Sequence, residues 1–314
     1  MSAMIGVIAT APAVDRTHLV DALRPGAIHR PHAVLARPGG KGFNVAHVLR
    51  GLGTDVVVAA PLAGASGRWL ADQAAANGLD LRPTWIDGEL RTCLSVFAET
   101  DGSLTEFYEP PPPVAQPDWD RFVSDALAAM AETGPALVAV SGRLPPGLAS
   151  DGLAVLVAGL VRQGRAVAVD ADGHGVVEAV RALPDAALVK INAREAAAWG
   201  RDPMTTPGAV DAVRRAMGVE TLVVTMGREG ALASTPTMTR RVGRAPVSGH
   251  FPVGSGDAFL AGMLAARAAG APLDEQLRLG TGAAAANTEQ PGAGVVDALR
   301  ARELARLVTL SAAP

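Results

Sequence analysis

Short apolar runs rich in Val, Ile and Ala recur at Met4 to Ala9, Val56 to Ala60, Leu137 to Val140, Ala166 to Asp170, Ala187 to Ile191 and Thr221 to Thr225. They are too uniformly apolar for strands with one wet face, so the pattern predicts strands buried on both sides. Between them stand helix-compatible stretches at Val45 to Leu52, Trp69 to Asn77, Trp119 to Ala131, Leu153 to Gln163 and Val210 to Met217. Strand then helix, repeated, predicts an α/β fold with a mostly parallel central sheet covered on both faces. The last part of the chain reads as three helices, Asp257 to Ala269, Asp274 to Asn287 and Val296 to Thr309, with no comparable strand. These are expected to close one end of the sheet.

Two segments break this rhythm. Residues 12 to 38 are rich in Pro, Arg and His, and residues 90 to 110 carry Asp101-Gly102 between two alternating runs, a hairpin signal. Both are predicted to form a small β-lid. The run Pro110 to Pro113 cannot continue a strand ladder and should stiffen the return into the main body. With no internal repeat and no long linker, residues 1–314 are expected to form one domain with the lid inserted.

Composition narrows the function. Lys and Arg number 28 against 31 Asp and Glu, so no basic field is present of the kind a nonspecific nucleic-acid binder needs. The single cysteine, Cys93, excludes an internal disulfide, and one thiol with six scattered histidines makes no zinc spacing. No apolar run reaches membrane-spanning length, and Met4 to Ala9 is too short for a secretory core. A cytoplasmic protein that binds neither membrane nor nucleic acid is expected. Aromatics are only 4% of the residues while alanine is abundant, so helices should pack closely through small side chains.

The two common nucleotide loops are absent. Gly40-Lys41 is followed by Gly42, where a Walker loop needs Ser or Thr, and no G-x-G-x-x-G follows the first strand. A different phosphate device stands at PVGSGDAFLAG, residues 252 to 262. There Gly254 and Gly256 let successive amides converge, with Ser255 between them, and the helix that follows adds its positive end. Asp257 in the same turn would repel a bound phosphate, yet it is well placed to take a proton from an attacking hydroxyl. An ordinary helix-capping Asp is the alternative. At PGGKGFNVA, residues 38 to 46, three glycines within four residues let the backbone approach a ligand. Lys41 and Asn44 add a cation and an amide. A tight turn before a helix accounts for that run equally well.

PAVD (12 to 15), GGKGFN (39 to 44), SGRLPPG (141 to 147), KINARE (190 to 195), TMGREGA (225 to 231) and PVGSGDAFLAG occur in an order and spacing that resemble the PfkB, or ribokinase-like, carbohydrate kinases over nearly the whole chain. Within that family the GGKG and PAVD forms are similar to the hexose-phosphate kinase branch. The resemblance implies a three-layer αβα domain and transfer of the ATP γ-phosphoryl group to a ketohexose phosphate. Fructose 1-phosphate is the first expectation, with tagatose 6-phosphate, fructose 6-phosphate or another sugar as alternatives. A non-catalytic nucleotide or sugar-phosphate sensor is the rival of a different class.

By position, the resemblance implies that Asp15, Gly39, Gly40 and Asn44 hold sugar hydroxyls with Ser141 at the same pocket. Arg91 and Lys41 would hold the phosphate already on the substrate, with Arg30 a further candidate. Lys190, Asn192, Thr225, Gly227 and Gly230 would contact ATP, and Asn287 would lie near adenine. Asn192 and Glu195 match the N-x-x-E motif that acts on Mg2+ through water. Asp257 would be the base, with the amides of residues 254 to 257 as anion hole. Three departures stand near these sites: Ala11 for the usual Asn, Cys93 for a common Asn, and Phe251 for Asp or Asn. The resemblance implies activation by a monovalent cation such as potassium, and the last departure weakens that expectation. The open strand edges of the lid make a homodimer paired through it an expectation.

Overall fold

Each of the six apolar runs forms a strand whose side chains alternate between two cores. In β1 (Ile5–Ala9), Ile5, Val7 and Ala9 enter one core and Ile8 the other. The computed structural model describes residues 4–172, 176–181, 188–196, 205–247 and 249–312; Ala187, at the head of one predicted strand, lies outside them. Along the chain follow β2 (Ala13–Val20), β3 (Ala33–Gly39), α1 (Lys41–Gly51), β4 (Val56–Ala63), α2 (Gly64–Ala76), β5 (Asp80–Ile86), β6 (Arg91–Ala98), β7 (Ser103–Tyr108) and α3 (Gln116–Thr133). The middle carries β8 (Leu137–Arg143), α4 (Gly152–Arg162), β9 (Ala166–Asp172), α5 (Val176–Arg181), β10 (Leu188–Asn192), α6 (Ala193–Ala196) and α7 (Pro207–Met217). The rest is β11 (Thr221–Thr225), β12 (Ala231–Ser234), β13 (Thr239–Val242), α8 (Ser255–Ala268), α9 (Leu273–Thr288), α10 (Ala298–Arg306) and β14 (Leu310–Ala312).

Among the described residues the main sheet has ten strands in the order β14-β13-β12-β11-β10-β9-β8-β1-β4-β5. It is parallel from β5 to β11, and β12, β13 and β14 add antiparallel at one edge. One face is covered by α1, α2, α8, α9 and α10 and the other by α3, α4, α5 and α7, which is the three-layer αβα arrangement. Two expectations need correction. The last three helices do not close an end of the sheet; α8 packs on α1, α9 on α8 and α10 on α9, over one face. The stretch read as helix up to Thr309 stops at Arg306, and the chain goes on as the edge strand β14. The strands β5, β12 and β13 are short or carry charged residues and leave no continuous apolar run to detect.

The predicted lid is a separate four-stranded sheet in the order β3-β2-β6-β7. β6 and β7 form the hairpin expected around Asp101-Gly102, with Gly102 at φ 68°. Because side chains alternate, Asp15, Cys93 and Tyr108 stand in register across three strands and share one face.

Small residues do set the helix spacing. A side chain at Gly262 of α8 would meet Leu279 O at 2.6 Å and Gly280 Cα at 2.8 Å, while one at Gly280 would meet Phe259 O at 2.8 Å. At Gly262 every close neighbour is backbone, with no flexible side chain to yield. Gly262→Val is therefore expected to destabilise the fold by ~1–3 kcal/mol through overpacking, read as a lower denaturation midpoint in urea.

Candidate active site

The glycine run at residues 39 to 42 joins lid and body. β3 ends on Gly39 and α1 starts at Lys41, with Gly40 at φ 81° between them. A side chain on Gly40 would lie 2.6 Å from Ala11 O, so only glycine turns here this close to β1 and β2. One turn into α1, Asn44 is buried and donates from Nδ2 to Asp257 Oδ2 at 2.8 Å. The two glycine-rich motifs, 213 residues apart in the chain, thus meet through their chemical side chains.

Gly254, at φ 77°, caps α8. Ser255 gives its N–H to Pro252 O at 3.1 Å, and the first intrahelical bond runs from Ala258 N to Gly254 O at 2.8 Å. The amides of Gly256 and Asp257 have no acceptor within the helix, an arrangement at the head of α8 that suits an anion. A side chain at Gly256 would meet Lys190 Nζ at 2.9 Å, so the ammonium stands directly against this head.

Behind it lies a buried charge array. Asp170, fully enclosed at the end of β9, accepts from Lys190 Nζ at 2.8 Å and from Lys41 Nζ at 3.2 Å. Lys41 also reaches Glu195 Oε1 at 2.9 Å. Burial opposes ionisation of Asp170, but the two ammonium groups beside it prevail and hold its carboxyl below the usual range. Asp257 goes the other way. Burial, reinforced by the charge of Asp170 and resisted by Lys190, Lys41 and Asn44, pushes it up to about 7. Asp15 is raised by burial to about 6 against the pull of the Gly40 amide and Arg91, and burial raises the Cys93 thiol to about 11.

Of these groups Lys41, Asp257, Asp15 and Cys93 line a cleft of about 290 Å³ between lid and body, together with Ala11, Arg16, Tyr108, Gly142 and Arg143. Gly40, Lys41, Asn44, Arg91, Gly254, Gly256, Asp257 and Asp15 are all on its wall. Three polar atoms at this site are buried with no hydrogen-bond partner in the protein: Asn44 Oδ1, Ser141 Oγ and Arg91 Nε. Ser141 sits beside the cleft in register with Ala9. Buried polar atoms of this kind are rare unless a ligand satisfies them. Arg30 is exposed on the loop between β2 and β3 and is not among the lining residues.

The nucleotide candidates gather at neighbouring strand ends. Lys190 and Asn192 lie on β10, Asn192 pairs in register with Thr225 of β11, and Gly227 and Gly230 shape the turn that follows. Asn192 Oδ1 accepts the N–H groups of Arg194 and Glu195 at 2.9 and 3.0 Å, and Glu195 Oε2 accepts from Asn192 N at 2.8 Å. This reciprocal cap starts α6. Asp170 is fully buried with both oxygens on lysines, so Glu195, partly exposed beside Lys41, is the hard oxygen donor here that suits a hydrated magnesium ion. Asn287 requires a correction. It is fully buried on α9 with both polar atoms engaged by backbone and Ser255, which leaves it nothing to offer adenine. Reasoning from the sequence missed Asp170, although an Asp ending a buried apolar strand is a usable signal. It also missed Arg143 and Tyr108 as lining residues.

The fold and this site together define a kinase that works on small molecules between a lid and an α/β body. Residues 3–298 match the pfkB family carbohydrate kinase pattern, and the chain belongs to that family. It is 31% identical over 310 residues to a 1-phosphofructokinase of Xanthomonas campestris, covering 96% of each chain. It is 28% identical to a tagatose-6-phosphate kinase of Staphylococcus epidermidis over 83% of this chain and 84% of that one. The tetrameric inhibited form of phosphofructokinase-2 from Escherichia coli superposes with a TM-score of 0.86 at 26% identity, covering 97% and 98%. The protein is thus an ATP-dependent sugar kinase.

With Asp257 as the base expected from the sequence, its raised carboxyl predicts the pH dependence. A base must be ionised to accept a proton, so kcat/KM for the sugar substrate should fall tenfold per pH unit on the acid side of about 7 and level off above it. Initial rates from pH 5.5 to 9 at subsaturating substrate check this.

Proposed function

We propose that this kinase transfers the γ-phosphoryl group of ATP to fructose 1-phosphate, giving fructose 1,6-bisphosphate. The observation that carries the reading is Asp257: a buried carboxyl held at about 7, fixed by Asn44 at the head of an anion-binding helix, inside a cleft that also presents arginines. A carboxyl tuned close to neutrality suits deprotonation of a sugar hydroxyl. The Xanthomonas relative, named 1-phosphofructokinase, supports the choice of acceptor.

In this reading Asp15, Asn44 and Ser141, with the backbone at Gly39 and Gly40, orient the sugar hydroxyls, and the partnerless Ser141 Oγ and Asn44 Oδ1 find their partners there. Arg91 Nε lies buried near the same wall, so Arg91 holds the phosphate the acceptor already bears, a task its planar donors suit. Lys41, expected to share that task, lines the same cleft and is bonded to Asp170 and Glu195 beside Lys190. It therefore stands with Lys190 against the group in transit. Charge building on the transferring oxygens meets the Gly256 and Asp257 amides and these two ammonium groups. Asp257 takes the hydroxyl proton as the new bond forms. Lys190, Asn192, Thr225, Gly227 and Gly230 bind ATP, and Glu195 with Asn192 would hold magnesium through water. When bound, that ion neutralises phosphate charge. The lid excludes water, the competing acceptor.

ADP release measured with MgATP and fructose 1-phosphate, tagatose 6-phosphate, fructose 6-phosphate, fructose, ribose or adenosine tests the reading. The highest kcat/KM is expected with fructose 1-phosphate, and Asp257→Asn should lower kcat by ~10²–10⁴-fold with little change in KM. Equal or better turnover of an unphosphorylated sugar would sink the acceptor assignment.

The lid also supports a homodimer. Its face away from the cleft carries Val34 at 52% and Phe107 at 57% exposure beside Leu94 and His18, an apolar surface that a second lid would cover. Sedimentation velocity at micromolar concentration should give twice the monomer mass, and a monomer alone would refute this pairing.

A further inference from the structure

Asn287 of α9 is completely buried, 30 residues beyond the base in the chain, and it makes five hydrogen bonds to two loops. Its Nδ2 donates to Val253 O at 2.8 Å, Ser255 Oγ at 3.2 Å and Phe251 O at 3.3 Å. Its Oδ1 accepts from Gly294 N at 3.0 Å and Val295 N at 3.2 Å. The first set grips the anion-hole turn on both sides of Gly254, whose left-handed backbone at φ 77° sets the start of α8. The second set grips the loop lying behind that turn.

The two loops are pressed together at glycines. A side chain on Gly254 would lie 2.8 Å from Gly294 N, and one on Gly294 would lie 3.0 Å from Asn44 Cα. A continuous line of contact thus runs from Asn287 through Gly294 to Asn44, whose Nδ2 holds Asp257. We propose that Asn287 is the positioning residue that sets the anion-hole turn and the base at once, by gripping the turn with its donor and the backing loop with its acceptor.

Only a primary amide does both jobs in this volume. Aspartate keeps the acceptor but turns an oxygen toward the carbonyls of Phe251 and Val253. Serine offers one hydroxyl, able to donate to one acceptor only. Leucine supplies neither, leaving the loop carbonyls and amides without partners. Since neither loop belongs to the sugar-binding face of the lid, a fault here should reach the chemical step and leave acceptor binding alone.

The inference rests on Asp257 acting at this site. It is tested with wild type, Asp257→Asn, Asn287→Asp and Asn287→Ser side by side, using MgATP and fructose 1-phosphate, with thermal unfolding of each variant. Asn287→Asp is expected to lose ~10–10³-fold in kcat while KM for the sugar phosphate stays within about threefold, and Asn287→Ser should fall between it and wild type. Hydrogen exchange should quicken in peptides covering 251–257 and 293–296. A folded Asn287→Asp with wild-type kcat overturns the proposal, as does loss of kcat and rise of KM in step with falling melting temperature. If Asn287→Asp does not fold, Asn287→Ser with wild-type kcat overturns it. If wild type turns over no sugar phosphate, the functional reading fails, and unchanged exchange in those two peptides then overturns the positioning role separately.

Discussion

A carboxylate with no exposed surface stays ionised only if opposite charge is built in around it, and Asp170 meets that condition with two lysines drawn from distant parts of the chain. Lys190 arrives on the neighbouring strand β10, and Lys41 from the first residue of α1, where the lid enters the body. The carboxylate fixes where both ammonium groups stand, and one of them is thereby set against the head of α8. The same negative charge, with burial, keeps Asp257 from ionising at an ordinary carboxylate pH. One buried group therefore gathers two ammonium groups beside the head of α8 and raises the carboxyl of Asp257 next to it.

The body of the fold was legible because parallel strands buried on both faces leave uninterrupted apolar runs, such as Val56 to Ala60 and Thr221 to Thr225. Edge strands escape that signal. β13 reads Thr-Arg-Arg-Val and is held by pairing with β12 and β14, which no local pattern reveals. The lid was legible for another reason: Asp101-Gly102 marks its hairpin, and alternation marks the flanking strands.

At the site, local motifs marked the residues but not their partners. Gly254 to Asp257 and Gly39 to Asn44 each spell a backbone conformation, and each stands where its motif placed it in the chain. The bond between Asn44 and Asp257, however, is a fact of tertiary packing. So is the direction of Lys41: in the sequence it belongs to the glycine loop beside the sugar, while in space its long side chain crosses to Asp170 and Glu195. Asn287 was misread for a related cause. Late in an alanine-rich helix, an Asn offers no hint of whether it meets a ligand or the protein's own backbone.

Lid and body are joined at more than the glycine run, and this bears on how the site can close. Phe97 of the lid strand β6 stacks on Phe251 at 4.8 Å and lies 5.7 Å from His250. Phe251 is the first residue of the segment leading to the anion hole, and its carbonyl is one of the groups bonded by Asn287. Any movement of the lid about Gly40 would therefore pull on an aromatic contact next to the glycine-rich turn at Gly254. At the cleft the lid supplies Asp15 and Arg91 and the body supplies Asp257 and the α8 amides. The cleft thus joins groups of the lid and of the head of α8 in one enclosure, and the Phe97–Phe251 contact ties the geometry of one to that of the other.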